Sequence, residues 1–501
     1  MLILVRFSGE LTTKARQTRI RFTKRLIGNI DSAFERENLS YKIQKDWSRL
    51  FIETQSDKAL GFLSRIFGIQ SLSVVEKKHV ESLEELLDEG ERLYKNSVEN
   101  RSFAVRARRV GGIKDSRFPS QEIERELGAR LYPFASGVDL SNPQVTVSVE
   151  IHGDEAYFFS EKIAGPGGLP LGARGRGLAL ISGGFDSAVA AWLILKRGVA
   201  LDYVFLNLGG QAHMAEMLPV TKVITDKWSY GDRPQLFAID FESVLQELQR
   251  STNKRYWQVI LKRLMFKAAD SVAHNNNQIA LVTGEVIGQV SSQTLPNLVV
   301  ISDATGLPIL RPLLGFDKHE IVERARRIGT NDYSEGVEEY CALVARYPVT
   351  RASLYDVERE EQEYDFAVLD RAISEQVQLD LNSIELSALN PKELEIEEIP
   401  EDALAIDLRN PNSYRAWHFP NAIYHDFFEA LSDTDALEIP SGRRVVTYCE
   451  VGIKSAQLAE KLRKSGIEAY HFKGGMRELM RYAIEHDLVP IELLPPSAYP
   501  D

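Results

Sequence analysis

The stretch Gly177 to Ser187, which reads GLALISGGFDS, constrains this chain more than any other. An apolar run suited to a buried strand meets Ser182-Gly183-Gly184, and the apolar residues Ala188 to Leu195 follow at once. Two adjacent glycines let a backbone turn tightly and approach an anion, and Ser187 stands where a helix N-cap is expected. Amides at the helix start would point at a bound group, with the positive end of the helix dipole behind them. Phosphate or pyrophosphate suits that arrangement, and Asp186 is placed to hold a metal ion or a reacting group. The pattern is not a P-loop, which needs Gly-Lys-Ser/Thr. A bare Gly-Gly pair is more often a plain turn, but the whole string Ser182-Gly183-Gly184-Phe185-Asp186-Ser187 outweighs that reading.

The 501 residues exceed the ~250–300 at which single cores stop growing, so several domains are expected. A hydrophobic content of 44% with 26% charged residues is ordinary for a soluble protein. No apolar run approaches the ~20 residues of a membrane span. The start Met1-Leu2-Ile3-Leu4-Val5-Arg6 reads as a first strand and not a signal peptide, so a cytoplasmic protein without a membrane partner is expected. Only 2 Cys exclude a disulfide scaffold and a Cys-rich zinc site. A net charge of −12 argues against coating nucleic acid along the whole chain, yet leaves room for a local basic surface.

Residues 1–76 read strand, helix, strand, strand, helix, strand, the order of a ferredoxin-like unit. The first helix carries Lys14, Arg16, Arg19, Arg21, Lys24 and Arg25. Most charge runs are solvated faces, but nearly all charges here share one sign and repel unless an anion covers them. Over residues 77–165 an acidic helix (82–98) leads to a strand (103–109) ending in Arg106, Arg108 and Arg109. The Gly111-Gly112 turn that follows carries Lys114 and Arg117. Two adjacent basic clusters make a nucleic-acid surface the favoured reading where either alone would not.

The Gly/Pro-rich stretch 164–172 reads as a linker and the clearest domain boundary. Alternating strands and helices over residues 173–390 imply a parallel sheet covered on both faces, with ligand at the carboxyl ends of its strands. The phosphate-type loop lies at such an end, as does the polar run 283–294. Residues 352–378 look like one charged helix. The acidic, proline-bounded stretch 390–401 reads as a mobile linker to a last domain, 401–501. There a strand (444–448) ends in Cys449, before a loop that feeds the helix 455–464. Loop amides and a helix dipole at such a place lower a thiol pKa, whereas a lone Cys is more often a packed core residue.

With these residues laid out, the chain resembles the tRNA 4-thiouridine synthetase family in its long form. The resemblance rests on Ser182–Ser187, the run 283–294, the string Arg311-Pro312-Leu313-Leu314-Gly315-Phe316-Asp317-Lys318, Cys341 before Pro348, and Cys449. Asp407-Leu408-Arg409, His418-Phe419-Pro420-Asn421-Ala422-Ile423 and Gly474-Gly475 match rhodanese landmarks. The resemblance implies multidomain α/β and α+β architecture. A ferredoxin-like domain and a THUMP domain come first, followed by a doubly wound PP-loop ATP pyrophosphatase domain and a rhodanese domain.

It further implies that Leu180, Ile181, Ser182, Gly183, Gly184, Asp186, Ser187, Lys262, Gly284 and Gln293 hold ATP. Lys318 is then a catalytic cation opposite Asp186, and the basic clusters bind tRNA. The expected cofactors are ATP and Mg²⁺, with no protein metal centre. A cysteine desulfurase is the expected sulfur donor, a thiazole sulfur-carrier protein is a further partner, and a homodimer is admitted.

Adenylation would convert the poor leaving oxygen at C4 of a uridine, position 8 in the family, into AMP. A persulfide on Cys449 would then supply sulfur, and Cys341, the other cysteine, would resolve it as a Cys341–Cys449 disulfide. The family also implies sulfur supply to the thiamin thiazole. One departure is Glu450 directly after Cys449, where many rhodanese loops are basic. A carboxylate there raises a thiol pKa, which Lys454 and the loop amides must offset. The rival readings are a PP-loop enzyme that amidates or ligates its substrate, and a non-catalytic RNA-binding module.

Overall fold

The computed structural model describes every residue except 47–48, 111–117, 336–347, 385–393, 441, 450–452, 487 and 490–501. Lys114, Arg117, Cys341 and Glu450 therefore lie outside the described residues. The chain divides into two compact units, with the break in the main path between Arg174 and Gly175.

The first unit is built on one nine-stranded sheet. Strands Leu2–Phe7, Tyr41–Lys45, Arg49–Thr54 and Ile69–His79 come first, with helices Arg16–Arg36 and Lys58–Leu63 between them, in the order expected of a ferredoxin-like unit. Phe22, Leu26, Ile30, Ala33 and Phe34 recur at helical spacing along Arg16–Arg36 and are buried. The strand Ile69–His79 is 11 residues long because it serves two domains. Its first half pairs with Leu2–Phe7, and its second half pairs with Glu155–Phe159 of the next domain.

A buried charge cluster ties the two domains. The Arg6 guanidinium donates to Glu150 at 2.9 Å and to Ser73 at 3.0 Å, and Arg49 reaches the other Glu150 oxygen at 2.6 Å. The 164–172 stretch is packed and not loose: Leu169 and Leu171 are buried, and Ser8 donates to the Gly168 carbonyl at 2.6 Å.

In the second unit, a six-stranded sheet has the order Ile309–Leu310, Leu281–Val282, Arg176–Leu180, Ala200–Asn207, Gln235–Asp240, Val377–Asp380. Leu281–Val282 is parallel to both neighbours, Ala200–Asn207 is parallel to Gln235–Asp240, and the Val377–Asp380 edge pairs antiparallel with Gln235–Asp240. Chain order reverses between Arg176–Leu180 and Leu281–Val282, so the loops after these two strands diverge and leave a crevice. The single charged helix expected over 352–378 is instead two helices, Leu354–Glu361 and Phe366–Ser374, and the edge strand. Ser353 and Asp365 cap the two helices through their side chains, which gives the second its own start.

The same unit holds a five-stranded parallel sheet in the order Glu395–Ile396, Ala469–Phe472, Val445–Tyr448, Leu404–Asp407, Ile423–Tyr424. It begins earlier than expected. Leu394 and Ile399 are buried and Glu395–Ile396 pairs with Ala469–Phe472, so the second half of the acidic stretch is folded. Glutamates flanking Leu394 and Ile396 hid that short strand.

Candidate active site

The phosphate-type loop follows from strand and helix geometry. The chain leaves the strand Arg176–Leu180 and turns through Gly183 at φ +83°, a conformation only glycine adopts without strain. The helix starts at Phe185, so Ser187 lies inside its first turn and does not cap it. The Ser187 hydroxyl folds back instead. It accepts the Ser182 N–H at 3.3 Å and donates to the Gly184 carbonyl at 3.1 Å, closing the loop on itself.

A cavity of about 460 Å³ opens on this loop. Leu180, Ile181, Ser182, Gly184, Asp186, Ser187, Lys262, Gly284, Gln293 and Lys318 all line it. Gly183, also expected to touch nucleotide, does not; its carbonyl accepts a hydrogen bond from buried Ser334 at 2.9 Å. Leu206, Leu208, Leu261, Met265 and Phe266 form an apolar wall, while the loop and the two lysines form a polar one. A flat heteroaromatic group with a charged tail fits such a division.

At the polar end, Lys318 Nζ stands 3.3 Å from Asp186 Oδ1, and Gln289 donates to Asp186 Oδ2 at 2.9 Å. Lys318 opens the helix Lys318–Ile328, set by a capping box between Asp317 and Glu320. Gly284 has a steric reason. A Cβ there would stand 2.5 Å from the Asp186 carbonyl carbon and 2.7 Å from Ser187 N, so the second loop packs directly on the first. Arg311, of the motif that ends in Lys318, donates to Glu285 at 2.7 Å and holds that buried carboxylate.

Sequence reasoning missed His213, Gln258, Glu285, Gln289 and Ser334 as cavity residues. Glu285 and Gln289 lay within the run 283–294 and could have been named from its polarity. His213 on an apolar helix and Ser334 beyond the last motif carry no such signal. Burial pushes the His213 imidazole down to about 3, against the opposing pull of the Ser182 backbone.

The second candidate centre lies at the end of Val445–Tyr448. Cys449 is buried, and its sulfur lies 3.5 Å from Ser455 Oγ, on the helix Ile453–Lys464. Thr447 donates to the Ser455 carbonyl at 2.7 Å, fixing strand to helix. The Asp407-Leu408-Arg409 landmark is structural: Arg409 forks onto buried Asp407 at 2.6 and 3.0 Å. The helix after Cys449 also packs against the nucleotide-type domain. Gln457 donates to the Leu208 carbonyl at 3.2 Å, Lys461 pairs with Glu242 at 3.3 Å, and Glu460 abuts Gly210.

In the first unit, Arg16, Arg21, Lys24, Arg106, Arg108 and Arg109 are exposed, and Lys14 and Arg19 are half-buried. Arg25 is held otherwise, donating to the Leu171 carbonyl at 2.7 Å and the Gly231 carbonyl at 3.0 Å. Arg106 also donates to the Leu140 carbonyl.

A phosphate-type loop at the switch point of a doubly wound sheet, in a chain that also holds a parallel sheet with a cysteine at a strand end, defines a PP-loop enzyme with a rhodanese domain. Family comparison is more specific. Residues 172–366 match the family described as thiamine biosynthesis protein (ThiI), and residues 2–73 its ferredoxin-like domain. Residues 80–161 match the THUMP domain and 390–481 the rhodanese-like domain.

The tRNA sulfurtransferase of Desulfurococcus amylolyticus is 38% identical over 94% of this chain and 97% of its own length. That of Aeromonas salmonicida is 35% identical over 93% and 98%. A solved 4-thiouridine synthetase–RNA complex with bound ATP superposes with a TM-score of 0.66 at 29% identity, covering 75% of this chain and 98% of that one. The chain belongs to the tRNA sulfurtransferase family and is an enzyme of that class. Among the described residues, no helix is long and apolar enough to cross a membrane.

Proposed function

We propose that this enzyme uses ATP to adenylate the C4 oxygen of a tRNA uridine, position 8 by family analogy, and exchanges that oxygen for sulfur to give 4-thiouridine. The observation that carries the reading is the shared cavity: nine of the ten residues assigned to ATP line it, with Lys318 and Asp186 paired at its polar end. The ATP- and RNA-bound relative of similar fold supports both ligands.

In this reading the apolar wall takes the adenine and the loop amides take the phosphates. Asp186 would hold Mg²⁺ carried in on the nucleotide, since a phosphate-bound Mg²⁺ needs only one or two protein carboxylates. Lys318, beside the same carboxylate, would neutralise charge developing at the α-phosphorus. The uridine oxygen attacks that phosphorus and pyrophosphate leaves.

Sulfur arrives as a persulfide on Cys449, loaded by a cysteine desulfurase. The terminal sulfur attacks C4 and AMP departs. The Cys341 thiolate then cleaves the S–S bond, freeing 4-thiouridine and leaving a Cys341–Cys449 disulfide for an external dithiol to reduce. The persulfide would also serve thiamin thiazole synthesis through a sulfur-carrier protein. The exposed cations of the first unit, with Lys114 and Arg117, would hold the tRNA backbone, and a homodimer is compatible with this reading.

Mass spectrometry of bulk tRNA tests the proposal. Cells lacking the protein should lose 4-thiouridine and regain it with the wild-type gene. Unchanged 4-thiouridine would overturn the reading. A single turnover without reductant should yield a Cys341–Cys449 cross-linked peptide; two reduced thiols after 4-thiouridine has formed would remove the resolving role of Cys341.

A further inference from the structure

Two of three consecutive carbonyls in the phosphate-type loop are each captured by a side-chain hydroxyl, and the third has a buried imidazole nearby. The Gly184 carbonyl accepts from Ser187 at 3.1 Å, and the Gly183 carbonyl accepts from Ser334 at 2.9 Å. Ser182 shares the cavity wall with the buried His213 imidazole, whose pKa its backbone pulls upward against burial. In a planar trans peptide, the carbonyl of one residue and the N–H of the next point in opposite directions. Fixing the Gly183 and Gly184 carbonyls therefore fixes the N–H groups of Gly184 and Phe185, and an imidazole N–H on the Ser182 carbonyl would fix that of Gly183. Among the described residues no acceptor partners those three N–H groups.

Left to itself, a Gly-Gly loop samples both senses of each peptide plane, because glycine accepts positive and negative φ alike. Flipping one plane would aim a carbonyl dipole where an amide should be, and repel an anion. Ser187 belongs to the loop motif, whereas His213 and Ser334 come from elements far away in sequence.

His213 lies in the first turns of the helix Gly210–Trp228, 4% exposed, with its ring edge-on to Phe205 at 4.6 Å. Ser334 ends the short helix Asn331–Ser334 and is 2% exposed. Buried polar groups in such places are costly unless hydrogen-bonded, which commits Ser334 to the Gly183 carbonyl. Burial keeps His213 neutral, and a neutral imidazole adds no charge that would compete for phosphate.

We infer that His213 and Ser334 are positioning residues that lock the peptide planes of the phosphate loop, so that its amides face the β- and γ-phosphates before ATP arrives. This rests on the ATP reading above and names two residues that act through the loop.

The experiment is calorimetric titration of the full-length protein with α,β-methylene-ATP and, separately, with AMP. His213→Phe removes the donor but keeps a ring, and Ser334→Ala removes the hydroxyl. Each should weaken α,β-methylene-ATP by about tenfold, the worth of one well-made hydrogen bond. AMP, which lacks the β- and γ-phosphates, should change by less than about twofold. The donor-retaining variants His213→Gln and Ser334→Thr should recover most of the loss.

Unchanged analogue affinity in both removal variants would overturn the inference. So would an equal loss for AMP, which marks general damage to the cavity. If His213→Phe does not fold, the Ser334 pair decides alone by the same two ratios. If the wild-type protein binds neither ligand, the ATP reading itself falls, an outcome distinct from failure of the lock.

Discussion

The two chemical loops of this enzyme are built on one plan and finished differently. Each follows a buried parallel strand and opens a helix, Arg176–Leu180 into Phe185–Lys196 and Val445–Tyr448 into Ile453–Lys464. The first borders a cavity, and its carbonyls and its aspartate are already engaged by neighbouring groups. The second ends in a thiol that is only 2% exposed, beneath a helix docked on the neighbouring domain. A small ligand that diffuses in is served by a site prepared beforehand. In the proposed reaction, a sulfur loaded by a desulfurase and passed to tRNA would have to be uncovered twice. In that proposal the nucleotide half would work from the arrangement seen here, and the sulfur half would require the helix Ile453–Lys464 to leave it.

The sharpest separation of the two loops comes from removing the reactive group of each. Asp186→Ala should lower AMP formation by about 10³-fold or more. Its persulfide loading and tRNA affinity should stay within a few-fold, because Cys449 and the basic clusters lie in other domains. Cys449→Ser should show the reverse, with adenylation intact and no sulfur accepted from the desulfurase. Radiolabelled pyrophosphate release and ³⁵S transfer measure the two halves. If Asp186→Ala also blocks sulfur acceptance, the loops are not independent and the comparison breaks. For both variants the tRNA affinity should keep the wild-type salt dependence, with log affinity falling by about 0.7–0.9 per phosphate contact for each unit of log salt.

Gly284→Ala probes how tightly the nucleotide loop is built. Its Cβ would meet the backbone of Asp186 and Ser187 at 2.5–2.7 Å, and backbone cannot swing aside. Overpacking of this kind costs about 1–3 kcal/mol, so KM for ATP should rise by about 5- to 150-fold. Gly306→Ala, where nothing lies within 4 Å of the added carbon, is the matched control. Equal kinetics for the two variants would mean the loop yields, against the prepared site described here.

What the sequence made legible, and what it hid, follows the range of the interactions. The Ser182–Ser187 string and the alternation of strands and helices are local, and the strand-to-helix loop appeared where they put it. Ser187 was read as a cap because capping is the usual task of a serine at that place. The helix begins at Phe185, two residues before Ser187, which frees the Ser187 hydroxyl to bond back to Gly184. Residues 352–378 kept one charge pattern across a break that only Asp365 announces. The strand Glu395–Ile396 was concealed by its acidic flanks. Arg25 was indistinguishable from its neighbours in a row of cations, and only tertiary structure commits it to two carbonyls. His213 and Ser334 reach the loop from elements that no short-range pattern connects to it.

A smaller effect should separate the sulfur loop from its cover. Gln457→Ala combined with Lys461→Ala removes the bond to Leu208 and the pair with Glu242. The buried amide contributes most of the difference, because an exposed ion pair is worth little. Alkylation of Cys449 by iodoacetamide should quicken by about three- to tenfold while ATP binding holds steady. An unchanged alkylation rate would show that the helix does not shield the thiol and would remove the contrast between the loops.

The last expected effect is on stability rather than on either loop's chemistry, and concerns one buried histidine in each domain. Burial pushes His213 down to about 3 and His471, in the sheet that carries Cys449, down to about 4. Both folded values lie below the unfolded value of about 6.5, so the unfolded chain takes up the protons first as pH falls. Their contribution is complete above pH ~6.5 and declines as the medium is acidified toward pH ~4 and then ~3, by up to about 1.4 kcal/mol per pH unit for each histidine. By pH 5 each should have cost about 2 kcal/mol relative to pH 7. Carboxylates titrate in the lower part of the same window, so the informative quantity is the difference between wild type and a single variant. His471→Phe should remove the pH-dependent loss from the rhodanese domain alone, and His213→Phe from the nucleotide domain alone, each followed by urea denaturation at pH 7 and pH 5. Parallel curves for wild type and His213→Phe would mean that the imidazole is already charged in the folded state. The phosphate loop would then rest on a cation, and the neutral lock argued for it would be lost.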